Sequence, residues 1–132
     1  MHVNLIVKYK VWFESEKGDF VLGPGGIELL KAIHETGSIR KACEKCGWSY
    51  KRALNYLNSL EETLGTKITV RKRGGRRGGG TVLTDEALRL VNVYSEVCRK
   101  IEEGIHEVKF KNIRGSGSHH SGESEPHRFT HL

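Results

Sequence analysis

The apolar pattern of this 132-residue chain predicts an α+β fold of two hairpins and four helices. Three observations carry that reading. Apolar residues alternate with mostly polar ones near the N-terminus, the signature of a strand with one buried face. Two short helical stretches are separated only by Gly47-Trp48-Ser49. A segment rich in glycine and arginine, bounded by short β-prone runs, leads into a long helix with heptad spacing.

The first strand is expected from the alternation of Val3, Leu5, Val7, Tyr9, Val11 and Phe13. Glu16-Lys17-Gly18-Asp19 has turn chemistry, and Phe20-Val21-Leu22 returns as a second strand to make an N-terminal β-hairpin. Gly23-Pro24-Gly25-Gly26 reads as a break. Ile27, Leu30 and Ile33 then follow helical spacing from Ile27 to Glu35, and Thr36-Gly37 stops that helix. Ser38 is placed to cap a second helix, Ile39 to Cys46, which Gly47 ends in the left-handed conformation. Ser49 caps a third, Tyr50 to Leu64, with Ala53, Leu54, Leu57, Leu60 and Leu64 as its apolar face and Gly65 closing it. Two helices joined by so short a turn make a helix-turn-helix.

Ile68, Val70 and Val82 flank the segment RKRGGRRGGG, so a second hairpin follows the third helix directly and serves as a wing. Thr84 caps the last helix, and Asp85 and Glu86 in its first turn suit the helix dipole. Ala87, Val91, Tyr94, Cys98, Ile101, Ile105 and Val108 recur at spacings of four and three as far as about Lys109, while Leu88, Leu90, Val93 and Val97 widen the stripe near its start. The architecture expected is a winged helix-turn-helix with an N-terminal β-hairpin and a long C-terminal dimerisation helix, over residues 1–113. Residues 114–132, rich in Gly, Ser, His and Glu, are expected to be a disordered tail and a candidate cloning appendage.

Charge narrows the function. The net charge is +6, but eleven Lys or Arg stand against three acids between Ser38 and Leu83, so that stretch alone exceeds the total. Concentrated positive charge points to an anionic polymer. No apolar run reaches the roughly 18 residues of a membrane span, and no signal peptide or membrane partner is expected. Three cysteines, an odd count, fit a reducing cytoplasm. Cys43 and Cys46 form a C-x-x-C pair, but no second pair follows, so buried structural thiols are the better reading. No metal or cofactor is expected, nor a catalytic constellation.

Leu29-Leu30-Lys31-Ala32-Ile33, Gly37-Ser38-Ile39, Ala42, Gly47, Ser49-Tyr50-Lys51 and Ala53, continued by Val70, Gly74-Gly75, Gly78-Gly79-Gly80, Leu83-Thr84 and Leu90 to Tyr94, resemble the N-terminal DNA-binding domain of ModE-type molybdate-responsive regulators. The pattern is similar, less closely, to LysR-type domains. Cys43 stands where that family usually has a second alanine, and Leu54 where it usually has tryptophan. The resemblance implies double-stranded DNA binding, and because the molybdate domains of full-length ModE proteins follow the last helix, no molybdate binding is expected in this chain.

The residues expected at DNA are Ser38, Ser49, Tyr50, Lys51, Arg52 and Asn55, where such helices meet base edges, and Arg71, Lys72, Arg73, Arg76 and Arg77 in the wing. The glycines of the wing let backbone N–H groups approach phosphate. The segment lacks the Gly-Lys-Ser/Thr ending of a nucleotide-binding loop. Val91, Tyr94, Cys98, Ile101, Ile105 and Val108 are expected to join two copies on a palindromic operator. The alternative for that stripe is packing on the N-terminal hairpin of the same chain. The alternative for the function is an architectural chromatin or RNA-binding protein with little sequence specificity.

Overall fold

The computed structural model describes residues 5–75 and 78–108. Val3 of the expected first strand, Arg76 and Arg77 of the wing, and the tail expected from residue 114 lie outside the described residues. The order is β1 (Phe13–Glu14), β2 (Phe20–Leu22), α1 (Pro24–Thr36), α2 (Ile39–Cys46), α3 (Tyr50–Leu64), β3 (Thr69–Gly75), β4 (Gly78–Leu83) and α4 (Asp85–Glu107). The strands form two separate antiparallel pairs, β1 with β2 and β3 with β4. This is an α+β winged helix-turn-helix with an N-terminal hairpin and a long last helix.

The core is built around α1, which buries Ile27, Leu29, Leu30, Ala32 and Ile33. Burial on so many sides makes this helix the central rod, with α2, α4, β2 and β4 packed on it. Each fully buried Leu or Ile contributes roughly 1.5–3 kcal/mol, so this one helix supplies a large part of the apolar driving force. It begins three residues earlier than the sequence pattern suggests. Pro24 takes the first helical position, where its missing N–H costs nothing and its fixed φ suits the helix. Gly26 lies inside the helix because a Cβ there would strike the Tyr56 hydroxyl and come within 2.8 Å of Tyr56 Cζ.

The N-terminal hairpin is shorter than expected. Among the described residues, Phe13 and Glu14 alone pair with β2. The period of two survives upstream as burial without pairing: Val7, Tyr9 and Val11 are turned inward while Lys8, Lys10 and Trp12 are exposed. The physical reason is the length of β2, which ends after three residues at Gly23 and leaves the rest of the segment no partner strand. Side chains of α4 hold it instead. Tyr94 Oη donates to the Val11 carbonyl at 2.7 Å, and Tyr9 Oη donates to Glu102 Oε1 at 2.7 Å.

α4 runs for 23 residues and starts as its sequence signals require, with Thr84 Oγ1 accepting from Ala87 N at 3.1 Å. Among the described residues no helix is long and apolar enough to cross a membrane. Gly104 sits exposed in α4 with open space around the position of a Cβ. Gly104→Ala is therefore expected to raise folding stability, by up to about 1 kcal/mol. A shift in the urea midpoint checks it; a loss of stability would show that Gly104 is in contact with something.

Candidate nucleic-acid interface

The turn between α2 and α3 is fixed by a few backbone bonds. The Cys43 carbonyl accepts from Gly47 N at 2.8 Å and from Trp48 N at 3.1 Å. Gly47 has φ 78°, a conformation that costs glycine nothing and other residues about 1–2 kcal/mol. Both helices are capped by serine. Ser38 Oγ accepts from Lys41 N at 3.0 Å, and Ser49 Oγ from Arg52 N at 3.1 Å. Each hydroxyl keeps its proton as a donor, and exposed Ser49 can turn it outward.

α3 buries Ala53, Leu57 and Leu60 against the domain. Leu54 is half-buried and Leu64 is exposed, so the inward face is narrower than its sequence pattern. Tyr56 lies inward instead, donating to the Val21 carbonyl at 3.0 Å. Burial pushes its phenol far above the ordinary tyrosine range, so it acts only as a neutral donor. Tyr50, Lys51, Arg52 and Asn55 are all exposed in the first turns of the helix, as expected. The first turn carries no acid.

Two contacts there escaped the periodicity. The Arg40 guanidinium lies over the Tyr50 ring at 4.4 Å, and that of Arg52 over the Trp48 ring at 3.8 Å. Trp48 is half-buried and meets the Tyr56 ring at 5.5 Å. Among the described residues Arg40, Lys51 and Arg52 form no ion pair, whereas nearby Lys45 is tied to Glu35 at 2.6 Å. Three cations without an ion pair thus stand around the start of α3.

The wing is anchored at its root. Ile68 N donates to Glu61 Oε2 at 2.8 Å, and Thr84 Oγ1 donates to the Lys67 carbonyl at 2.8 Å. Thr69 opposes Leu83, and Arg71 opposes Thr81. The outer edge of β4 is bonded to the turn before α2, Thr81 N donating to the Gly37 carbonyl at 2.9 Å. That approach needs Gly80, whose Cβ would stand 2.8 Å from the same carbonyl oxygen. Arg71, Lys72 and Arg73 are exposed on β3.

The residues expected at a dimer interface divide into two groups. Tyr94 and Cys98 are a correction: both are core residues of their own chain, Tyr94 being 1% exposed. The Tyr94 ring packs on Phe13 at 5.2 Å, and its hydroxyl is engaged by the N-terminal segment. Val91, Ile101 and Ile105 are half-buried, and Val108 is 56% exposed.

The cysteines are unpaired. Cys43 and Cys98 are buried, and Cys46 Sγ lies 3.6 Å from the Glu28 carbonyl. Burial pushes all three thiols above their ordinary value, which disfavours the thiolate that metal binding or redox chemistry needs. Among the described residues no three His, Cys, Asp or Glu side chains gather as metal ligands.

The chain is similar in sequence to known proteins. Residues 25–88 match the model described as bacterial regulatory helix-turn-helix protein, lysR family. The Transcriptional regulator ModE of Haemophilus influenzae is 33% identical over 92 residues, covering 70% of this chain and 36% of that protein. The Molybdenum transport protein ModE of Azotobacter vinelandii is 41% identical over 95 residues, covering 67% of this chain and 35% of that protein. Among solved structures, ArgP from Mycobacterium tuberculosis aligns with a TM-score of 0.48 and 20% identity, over 64% of this chain and 30% of that one. The chain spans about a third of the length of the curated relatives it matches.

Proposed function

We propose that this chain, whose residues 25–88 match the lysR-family helix-turn-helix model, is a sequence-specific double-stranded DNA-binding regulator of transcription, working as a homodimer in the cytoplasm. The observation that carries the reading is the start of α3: Tyr50, Lys51, Arg52 and Asn55 are exposed, present a phenol, two cations and an amide, and are unopposed by acid in the first turn. In the major groove Arg and Lys pair with guanine O6 and N7, and Asn with adenine. Arg71, Lys72 and Arg73, with Arg76 and Arg77, supply charge for phosphates or a narrow minor groove. The names of the relatives support regulation.

Base contacts and phosphate contacts separate experimentally. Arg71→Ala with Arg73→Ala is expected to weaken binding to every duplex and to lower the slope of log affinity against log salt by about one for each phosphate no longer neutralised. Asn55→Ala is expected instead to relax discrimination at one base pair, by about 1–3 kcal/mol. Fluorescence anisotropy over a salt series checks both. A double wing variant with unchanged affinity and slope would remove the wing from the interface.

The dimer rests on the far end of α4. Val91 and Val93, then Ile101, Ile105 and Val108, keep apolar surface on a helix whose inner face is already filled by Tyr94 and Cys98. A second copy covers it with the same residues under two-fold symmetry. Two recognition helices then meet half-sites of a palindrome one or two helical turns apart. Ile101→Glu with Ile105→Glu is expected to give a monomer by sedimentation and to lose the advantage of a palindrome over a single half-site. A parent chain that is monomeric at tens of micromolar would overturn the dimer.

A further inference from the structure

We propose that Trp48 determines DNA sequence preference without touching DNA, by holding the Arg52 guanidinium over its indole ring. This rests on the reading of α3 as the recognition helix. Arg52 sits in the first turn of α3, exposed and without an acidic partner, yet its Cζ lies 3.8 Å from the Trp48 ring. A guanidinium over indole is attracted to the negative face of the ring, and tryptophan is the best aromatic for this. The stack restrains a long, flexible side chain, while all five N–H donors stay in the plane of the fork.

The ring is itself held in place. It occupies the three-residue turn, where Trp48 N donates to the Cys43 carbonyl. The indole meets the Tyr56 ring at a tilt of 55°, and Tyr56 is tied to the Val21 carbonyl. A Cβ at Gly25 would lie 3.7 Å from Trp48 Cζ2, so α1 passes close beside the indole. The chain of support runs from the hairpin through Tyr56 and Trp48 to one arginine at the tip of the recognition helix. Bidentate pairing with guanine requires the fork at a set angle, and a pre-set fork loses less freedom on binding.

Trp48 is therefore a positioning residue, and three measurements distinguish that from a merely structural role. In the free protein the Arg52 side-chain protons should show an upfield ring-current shift in NMR spectra, lost in Trp48→Leu and kept in Trp48→Phe. A preferred duplex is selected from a randomised pool with the parent chain, and affinities are measured for it and for each single-base-pair change. Trp48→Leu is expected to lose about three- to thirtyfold of discrimination at the one position that Arg52→Ala also affects, with Trp48→Phe retaining most of it. In the Arg52→Ala background, Trp48→Leu should add no further loss of discrimination. A uniform loss at all duplexes, in both backgrounds, would overturn the proposal and leave Trp48 as packing. So would an unshifted Arg52 spectrum. A parent chain that selects no sequence at all would instead defeat the reading of α3, whatever the spectrum shows.

Discussion

Tyr94→Ala is expected to cost about 3–5 kcal/mol of folding stability, the usual loss for deleting a large buried aromatic. Domains of this kind have about 5–15 kcal/mol in all, so the variant should stand near the edge of unfolding. The ring is 1% exposed and packs on Phe13, and its hydroxyl bonds a carbonyl 83 positions away in sequence. Truncation removes the packing of α4 against the N-terminal segment and leaves the Val11 carbonyl without its donor. Tyr94→Phe removes only the hydroxyl, with its bond to the Val11 carbonyl and its contact with Cys98, and should cost about 1–2 kcal/mol. Urea unfolding followed by circular dichroism measures both. A Tyr94→Ala loss below about 1 kcal/mol would mean that residues 5–12 do not dock as described.

Gly80→Val is expected to change DNA binding most without touching a charged residue. The β-carbon would stand 2.8 Å from a backbone oxygen, Gly37 O, which cannot swing aside as a side-chain end can. Either β4 leaves the turn before α2, breaking the Thr81–Gly37 bond, or that turn shifts and carries α2 with it. Strain of this kind costs about 1–3 kcal/mol. The wing then no longer springs from the helix-turn-helix at its fixed angle, and its cations leave the phosphates together. Affinity for every duplex should fall, with a salt slope lower by about one unit for each phosphate released. Unchanged slope and stability would show that the wing is not seated on Gly37.

Local signals in the sequence located most of the fold. Ser38, Ser49 and Thr84 cap the helices they precede, and Gly37, Gly47 and Gly65 close helices with φ near 70–78°. Such caps act through neighbouring backbone, so adjacent residues are enough to reveal them. Pro24 misled because Gly-Pro-Gly-Gly resembles a turn. Gly26 serves helix packing under Tyr56, a contact between residues 30 positions apart that no local window contains. In the N-terminal segment the alternation marked Val7, Tyr9 and Val11 correctly as turned inward but also Leu5, which is exposed; it could not show that β2 was too short to pair with them.

The candidate site divides along the same line. Exposure of Lys51, Arg52 and Asn55 follows from the helix period, and the wing follows from its glycines and arginines. The heptad stripe of α4 identified an apolar face without saying what covers each part. Its early turns needed Phe13 and Val11 from the far end of the chain to fill Tyr94's surroundings. Trp48 was invisible because a residue in a three-residue turn belongs to no periodic face. Its one signal was an aromatic four positions before an arginine at a helix start.

The most direct test of the central claim is selection of duplexes from a randomised pool, followed by affinity for the selected duplex, a scrambled duplex and an RNA of the same sequence at one stated salt concentration. A sequence-specific regulator should enrich a two-fold symmetric sequence and bind it about a thousandfold or more tightly than the scrambled duplex or the RNA. No enrichment, with all three nucleic acids bound within about threefold of one another, would contradict it and leave an architectural or RNA-binding module, since phosphate contacts alone carry no sequence information.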